Sequence, residues 1–539
     1  MSLQSGRYTG AGPLAVIEGW SLERLTEPSR LFGANGIRTG PDGRIYVAQV
    51  CASQISAIDV KTGVIEAVSP KGGDIVGPDD LVFDPQGNLY ATEITEGRVS
   101  MRAPNGESRV VYGDIPLANP ITFYQGRLIA GELRIDGRIM QLDLNGGAPR
   151  VILENVPMPN AMDVGPDGKL YFPVMAANEI WRVSLEGGAP EKVADNLGVP
   201  DSVKFDSKGF IISTQVHSGQ VLRIDPRDGT RTVLANLTAG LDNSTFVGDR
   251  LFVSNISGYV TEILPGGATR DLVPDGLNWP LGLAMDEAGL LYVADGPFSY
   301  TLRPGHKRQL AGMLFTPGYP GYSRGVVAAG RGEFIVTTAN GVVARYWPAK
   351  SESKVLATGF DQLYGVAIAP AGALIFAEQG TGRVLSLQSE NVETLASGLK
   401  QPSGVAVGAD GTCYVSESAG GRVVRLSGGR AETVLDGLQQ PQGILVRGGL
   451  LYVVDAGAKD LIEYDLAKKG RRRIARGLPV GAPAGVTPKA LGAIGTLSGP
   501  MGPFAGIAAG TDGTLYISGD ADGSVLAVRS NGAWRQSTP

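Results

Sequence analysis

The sequence predicts an all-β protein made of two tandem six-bladed β-propellers, with twelve four-stranded blades in all. Three observations lead there. A phrase of about 40 residues recurs twelve times, each copy holds three or four short alternating apolar runs, and 78 Gly and 34 Pro punctuate the 539 residues without any helical periodicity. Short alternating runs between turns read as small antiparallel sheets. A period near 40 residues with about four strands per unit is the pattern of propeller blades. Propellers usually hold about 4 to 8 blades, so twelve copies divide most naturally into six and six.

Residues 1–30 form a leading segment whose apolar run from Leu14 to Trp20 is expected to add an outer strand that helps to close a ring. The first propeller spans residues 31–276. Phrases such as NAMDVGPDGKLYFPV from Asn160 and DSVKFDSKGFIIST from Asp201 align on their turn glycine. The opening positions then fall at Asn35, Asp79, Asn119, Asn160, Asp201 and Asp242, spaced by 44, 40, 41, 41 and 41 residues. One blade ends at Asp275 and the next begins near Trp279, which makes the divide at Gly276 a tight junction. The second propeller, residues 277–539, repeats the phrase from Leu281, Arg324, Tyr364, Ser403, Gln442 and Ala505. Its last gap is 63 residues because a Gly/Pro-rich insertion occupies about Leu478 to Pro503, expected to cover one mouth of this propeller.

Composition narrows the function. A net charge of −5 without long blocks of one sign gives no footprint for nucleic acid, and the run Lys468, Lys469, Arg471, Arg472, Arg473 reads as a solvated hairpin. The two cysteines, Cys51 and Cys413, sit in different propellers, which speaks against a disulfide framework. Neither a secretory leader nor a run of 18 apolar residues is visible, so the expectation is a soluble cytoplasmic protein with a small-molecule substrate and no membrane partner. No GxSxG, HExxH or GxxxxGK[ST] motif supports a serine hydrolase, a zincin or a nucleotide site.

In a propeller the residue that opens each innermost strand stands at the rim of the central channel. In the first propeller all six are short oxygen donors: Asn35, Asp79, Asn119, Asn160, Asp201 and Asp242. The second propeller has no carboxylate at these positions. Three carboxylates converging on one channel repel each other, by about 4 kcal/mol per pair at 4 Å and an effective dielectric near 20. A cation or raised pKa values must relieve this. Mixed Asn and Asp donors suit Ca2+ best, with Mg2+ and Mn2+ next and Zn2+ behind them because it prefers His and Cys. Asn35, Asn119, Asn160, Asp201 and Asp242 are the candidate metal ligands. Against this stands the common use of Asn and Asp in turns and strand starts.

The blade pattern resembles NHL-type repeats, and the first propeller resembles the regucalcin/gluconolactonase (senescence marker protein) group, with paraoxonase and diisopropylfluorophosphatase more distant. The matching phrases are PNAMDV around Asn160 and PDSVKF around Asp201, in consecutive blades, with Asn119 in ANPITF less specific. The resemblance implies a channel ion held by a first-blade Glu, middle-blade Asn residues and the next Asp; here Asn35 stands in place of the Glu. It also implies hydrolysis of lactones or esters, with the ion polarising the carbonyl and activating water. On that reading Asp201 is ligand and base. His217, which follows the second strand of the same blade, is a further candidate base, although a solvent-facing turn explains it more simply. Asp79 and Asn119, with Glu93 and Glu132 at the ends of second strands, are candidate substrate contacts. Because Asp295, Glu378, Glu417 and Asp455 recur at the same place as Glu93 and Glu132, a structural role binding backbone amides is the stronger expectation there. A non-catalytic binding scaffold, or a lyase or isomerase using the same ion, remains an alternative to hydrolysis.

Overall fold

The structure is a computed structural model, and it describes Arg7 and residues 13–531. The other residues of the leading segment, 1–6 and 8–12, lie outside the described part. Among the described residues there is no α-helix, only 3-10 turns at Met175–Ala177, Pro265–Gly267 and Pro348–Lys350. None is long and apolar enough to cross a membrane. The remainder is twelve antiparallel sheets, eleven of four strands and one of five.

The chain separates into two compact units. One comprises residues 29–276 together with 487–495; the other comprises 7–28, 277–486 and 496–539, of which residues after 531 are not described. In the first unit the innermost strands are Ile37–Thr39, Pro78–Phe83, Ala118–Tyr124, Asp163–Val164, Lys204–Phe205 and Leu241–Val247. The last packs back against the first and closes a six-membered ring. Thr39 fixes that closure by donating from its hydroxyl to the Phe246 carbonyl at 2.7 Å. Core clusters lie between successive blades, as with Val82, Tyr90 and Val99 of one blade against Ile121, Leu128 and Met140 of the next.

The second unit has innermost strands Leu283–Met285, Ser323–Gly330, Leu363–Ile368, Pro402–Val407, Pro441–Arg447 and Ile507–Ala509, the last again packed against the first. Its final sheet takes only three strands from its own repeat. The fourth is Trp20–Arg24, paired antiparallel with Ser524–Ser530 on the outer edge. The preceding sheet gains Ala15–Val16 as a fifth strand, beside Arg471–Arg476. The apolar run of the leading segment therefore supplies outer strands, and Trp20 is buried among Val454, Leu515 and Leu526.

The insertion divides between the units. Residues near its end cover the channel mouth of the second propeller: the Pro500 carbonyl accepts from the Arg324 guanidinium, and Phe504 meets the Tyr364 ring edge-on at 5.9 Å. Residues 487–495 instead join the first unit, where Leu491 is buried beside Gly77 and Thr95. Cys51 and Cys413 are both buried, in different units.

Candidate functional site

Of the ring residues, Asp79, Asn119 and Asp242 lie within their innermost strands, whereas Asn35, Asn160 and Asp201 precede theirs by two or three residues. Backbone grips hold these residues. The carbonyls of Asn35 and Asn119 accept hydroxyl hydrogen bonds of 2.8 Å from Ser254 and Thr92 of the preceding blade, and that of Asp242 accepts one from Thr214. The Asp79 carbonyl accepts from the Gly36 amide at 2.7 Å.

Asp79, Asn119, Asn160, Asp201 and Asp242 are 4–9% exposed, whereas Asn35 is half-buried. The Asp79 and Asp201 carboxyls receive no hydrogen bond from the described residues. The Asp242 carboxyl has only a long one of 3.5 Å from the Asn35 amide. Burial, joined by the charge of Asp80, pushes Asp79 up to about 8. Burial with repulsion from Asp79 and Asp80 raises Asp201 well above the usual carboxylate range. Asp242 is raised in the same way, with Asp201 the foremost of its charged neighbours. The three carboxyls therefore share one electrostatic site across blades two, five and six. Amide oxygens complete the donor set: Asn160 Oδ1 already accepts from the Ala161 amide at 2.8 Å and Asn35 Oδ1 from Val50 at 3.3 Å, and an amide oxygen has a second lone pair. Buried carboxyls lacking donors, beside amide oxygens, are a donor set that fits a hard cation. Among the described residues no three His, Cys, Asp or Glu side chains form a ready metal cluster, so any such ion would depend on the Asn oxygens as well.

Behind the ring lies a second layer that the sequence reading missed. Asp80 accepts from Leu81 N at 2.8 Å and from the Asn243 amide at 3.2 Å, and Arg38 stands 3.9 Å away. Arg38 also reaches across the channel to the carbonyls of Leu81 and Ile121, both at 3.1 Å. Lys204 is buried, its ammonium without a hydrogen-bond partner, 3.9 Å from Asp163, and burial lowers it to about 8. Asp79, Asp80, Asp163, Asp201 and Asp242 against Arg38 and Lys204 leave a formal excess of three negative charges. The signal was available, since Arg38, Asp163 and Lys204 each sit three residues after a ring position.

The other candidates fall outside this cluster. Glu93 accepts from Val76 N and Arg98, both at 2.7 Å, and Glu132 accepts from Arg138 N at 3.1 Å and Arg134 at 3.2 Å. Both are fully buried in these clamps, a structural task that leaves no oxygen for a substrate. Their counterparts do the same: Asp295 takes the amides of Asn278 and Trp279 at 2.8 and 2.7 Å, and Asp455 those of Gln439 and Gln440 at 2.9 and 2.8 Å. The His217 side chain is exposed in a turn whose backbone bonds to the Gly198 carbonyl at 3.1 Å. A separate cleft of about 680 Å3, lined by Phe205, Arg223, Phe246 and Pro265, opens by the turns at the far end of blades five and six, away from the ring.

The second propeller is closed at the equivalent depth. The residue after each ring position is glycine: Gly282, Gly325, Gly365, Gly404, Gly443 and Gly506. A Cβ on any of them would meet the carbonyl of the next blade's ring residue at 2.1–2.7 Å. The inner strands therefore touch backbone to backbone, leaving a cavity of about 40 Å3. In the first propeller only Gly36 is a glycine at these positions, the others being Asp80, Pro120, Ala161, Ser202 and Asn243.

Fold and site together define a β-propeller with an acidic, amide-rich channel mouth. Within it, residues 122–256 match the family model described as the SMP-30/Gluconolactonase/LRE-like region. The match lies wholly in the first propeller and includes Asn160, Asp201 and Asp242, and this part of the chain carries the gluconolactonase-like pattern. Among solved structures, a streptogramin B lyase is similar at 18% identity over 51% of this chain and 94% of that one, with a TM-score of 0.38. Virginiamycin B lyase from Staphylococcus aureus, selenomethionine-substituted, is similar at 16% identity over 51% and 96%, with the same TM-score of 0.38. No curated protein matches the chain.

Proposed function

We propose that the first propeller is a metal-dependent hydrolase of lactones or esters, with a Ca2+-like ion at the channel mouth. The observation that carries this reading is the set of three buried, mutually repelling carboxyls with almost no donors to satisfy them. Asn160 and Asp201 would hold the ion, with Asn119, Asp242 and Asn35 as further oxygen donors. When bound, the ion supplies Lewis-acid polarisation of the substrate carbonyl and lowers the cost of forming hydroxide from water. Asp201 would act as ligand and base together, and Asp79, which is not among the ligands, would share the uptake of the proton that water releases, because a bound cation keeps these carboxyls ionised and able to accept it. Asp80, fixed by Leu81 N and Asn243, and Arg38, fixed on two carbonyls, hold the floor of the site rigid. The gluconolactonase-like match over residues 122–256 supports the reaction class.

The test is metal analysis of the purified protein, followed by assays on lactones and aryl esters with and without chelator. Chelator-sensitive hydrolysis restored by Ca2+ is expected. A metal-free protein that neither binds Ca2+ nor hydrolyses any ester would leave a binding scaffold as the better description.

A further inference from the structure

Two residues before every ring position of the first propeller the backbone is left-handed. Gly33, Gly77, Leu117, Met158, Val199 and Gly240 have φ of 89°, 57°, 57°, 60°, 62° and 97°. The blade entry thus demands this conformation six times, and glycine meets it without steric cost. Blades three, four and five nevertheless place Leu, Met and Val there, and a β-branched residue such as Val199 is among the least suited to it. The residues after Met158 and Val199 are prolines, which restrict the backbone further. All three are half-buried, so part of each meets solvent. In the second propeller the left-handed non-glycine residues at this position, Gln362 and Gln401, are polar.

Strain kept at three neighbouring positions, each time for a medium-sized apolar side chain, calls for a compensating use. The arc it marks stands immediately before Asn119, Asn160 and Asp201. Buried Leu491 lies beside Gly77 on the neighbouring blade. A Cβ at Gly495 would come 2.9 Å from the Leu117 side chain, so residues 487–495 continue the apolar arc.

Resting on the hydrolase reading of the ring, we propose that Leu117, Met158 and Val199 form an apolar shelf for the aliphatic arm of the substrate. The site would then select alkyl-substituted lactones or esters over polyhydroxylated ones. The carbonyl enters the polar ring while the hydrocarbon arm leaves water along the shelf. Each buried methylene contributes about 0.8 kcal/mol, equivalent to about fourfold in kcat/KM.

The experiment compares δ-valerolactone, its δ-butyl and δ-hexyl derivatives and gluconolactone on the wild type and on L117G, M158G, V199G and the triple variant. Glycine suits the positive φ, so these variants should keep or raise their melting temperature and report on the shelf instead of on folding. Binding of the matching δ-lactams by calorimetry gives the same comparison without turnover. The expected result is that hexyl-over-unsubstituted preference is large in the wild type, falls towards one in the triple variant and is unaffected by Q362G in the second propeller. Hydrolysis without chain-length preference overturns the shelf and leaves the hydrolase reading intact. Lactam binding that strengthens with chain length and is lost in the glycine variants, but without hydrolysis, keeps the shelf and removes the hydrolase. Lactam binding that is absent or indifferent to chain length overturns the shelf regardless of turnover.

Discussion

Asp201 and Gln442 stand at equivalent places in their repeats, yet their surroundings are opposite. The Asp201 carboxyl takes no hydrogen bond from the described residues, while the Gln442 side chain is already committed, accepting from Ala505 N at 2.6 Å. Asp201→Ala should lower kcat by roughly a hundredfold to a thousandfold, the scale of losing one transition-state-stabilising group. Gln442→Ala should leave the rate within about threefold, since it touches no reacting atom. Steady-state rates at saturating Ca2+, with melting curves to confirm folding, check both. The ring residues were legible because each opens a copy of the repeat and the six copies can be aligned by eye. Lys204 and Arg38 were passed over although their spacing from the ring positions was there to read, because within one strand they look like ordinary outward-facing charges. Only closure of the ring turns that face into a channel wall. Glu93 and Glu132 were legible as repeat features but not as exhausted acceptors, since that depends on the amides and arginines folded around them.

The elements carry their own tests. Trp20 belongs to a strand completing the final sheet of the second propeller, so Trp20→Ala should cost roughly 3–5 kcal/mol and lower the melting of that propeller while chelator-sensitive stability of the first is unchanged. Calorimetry with and without Ca2+ separates the two transitions. Asp295 anchors the entry of the first blade of the second propeller, and burial pushes its carboxyl up to about 7, outweighing two amide hydrogen bonds. In the unfolded chain an Asp titrates near 3.9. The folded state therefore holds the extra proton between about pH 4 and 7, and the contribution to stability is full below that window and declines as pH rises through it. Asp295→Asn should flatten the fall in denaturation midpoint across pH 4–7, and an unchanged slope would show the carboxyl to be ionised throughout. The six strand-opening glycines of the second ring were plain in the sequence in phrases such as SGVAV and YGVAI. Their meaning was not, because a missing Cβ matters only once the next blade's carbonyl is known to lie 2.1–2.7 Å from where it would be.

For the molecule as a whole, ligand linkage offers the most direct test of the site. A cation at 100 times its Kd should stabilise the first propeller by about 2.7 kcal/mol and leave the second unmoved. Scanning calorimetry would show one transition rising and the other fixed, and a joint shift would place the ion elsewhere. The repeat made the number of blades readable, because blade period survives loop variation. The fate of residues 487–495 was not, because loop packing has no periodic code. The pairing of Trp20–Arg24 with Ser524–Ser530 also sets a timetable for biosynthesis. Every sheet strand of the first ring emerges within residues 37–273 and can pair as it appears. The early strand, by contrast, waits for a partner about 500 residues downstream. At about 5–20 residues per second that is roughly half a minute to a minute and a half on the ribosome. During that interval the apolar face of Trp20 and Leu22 must be shielded by a chaperone or by transient contacts, which makes slowed or truncated translation a specific hazard for the second ring.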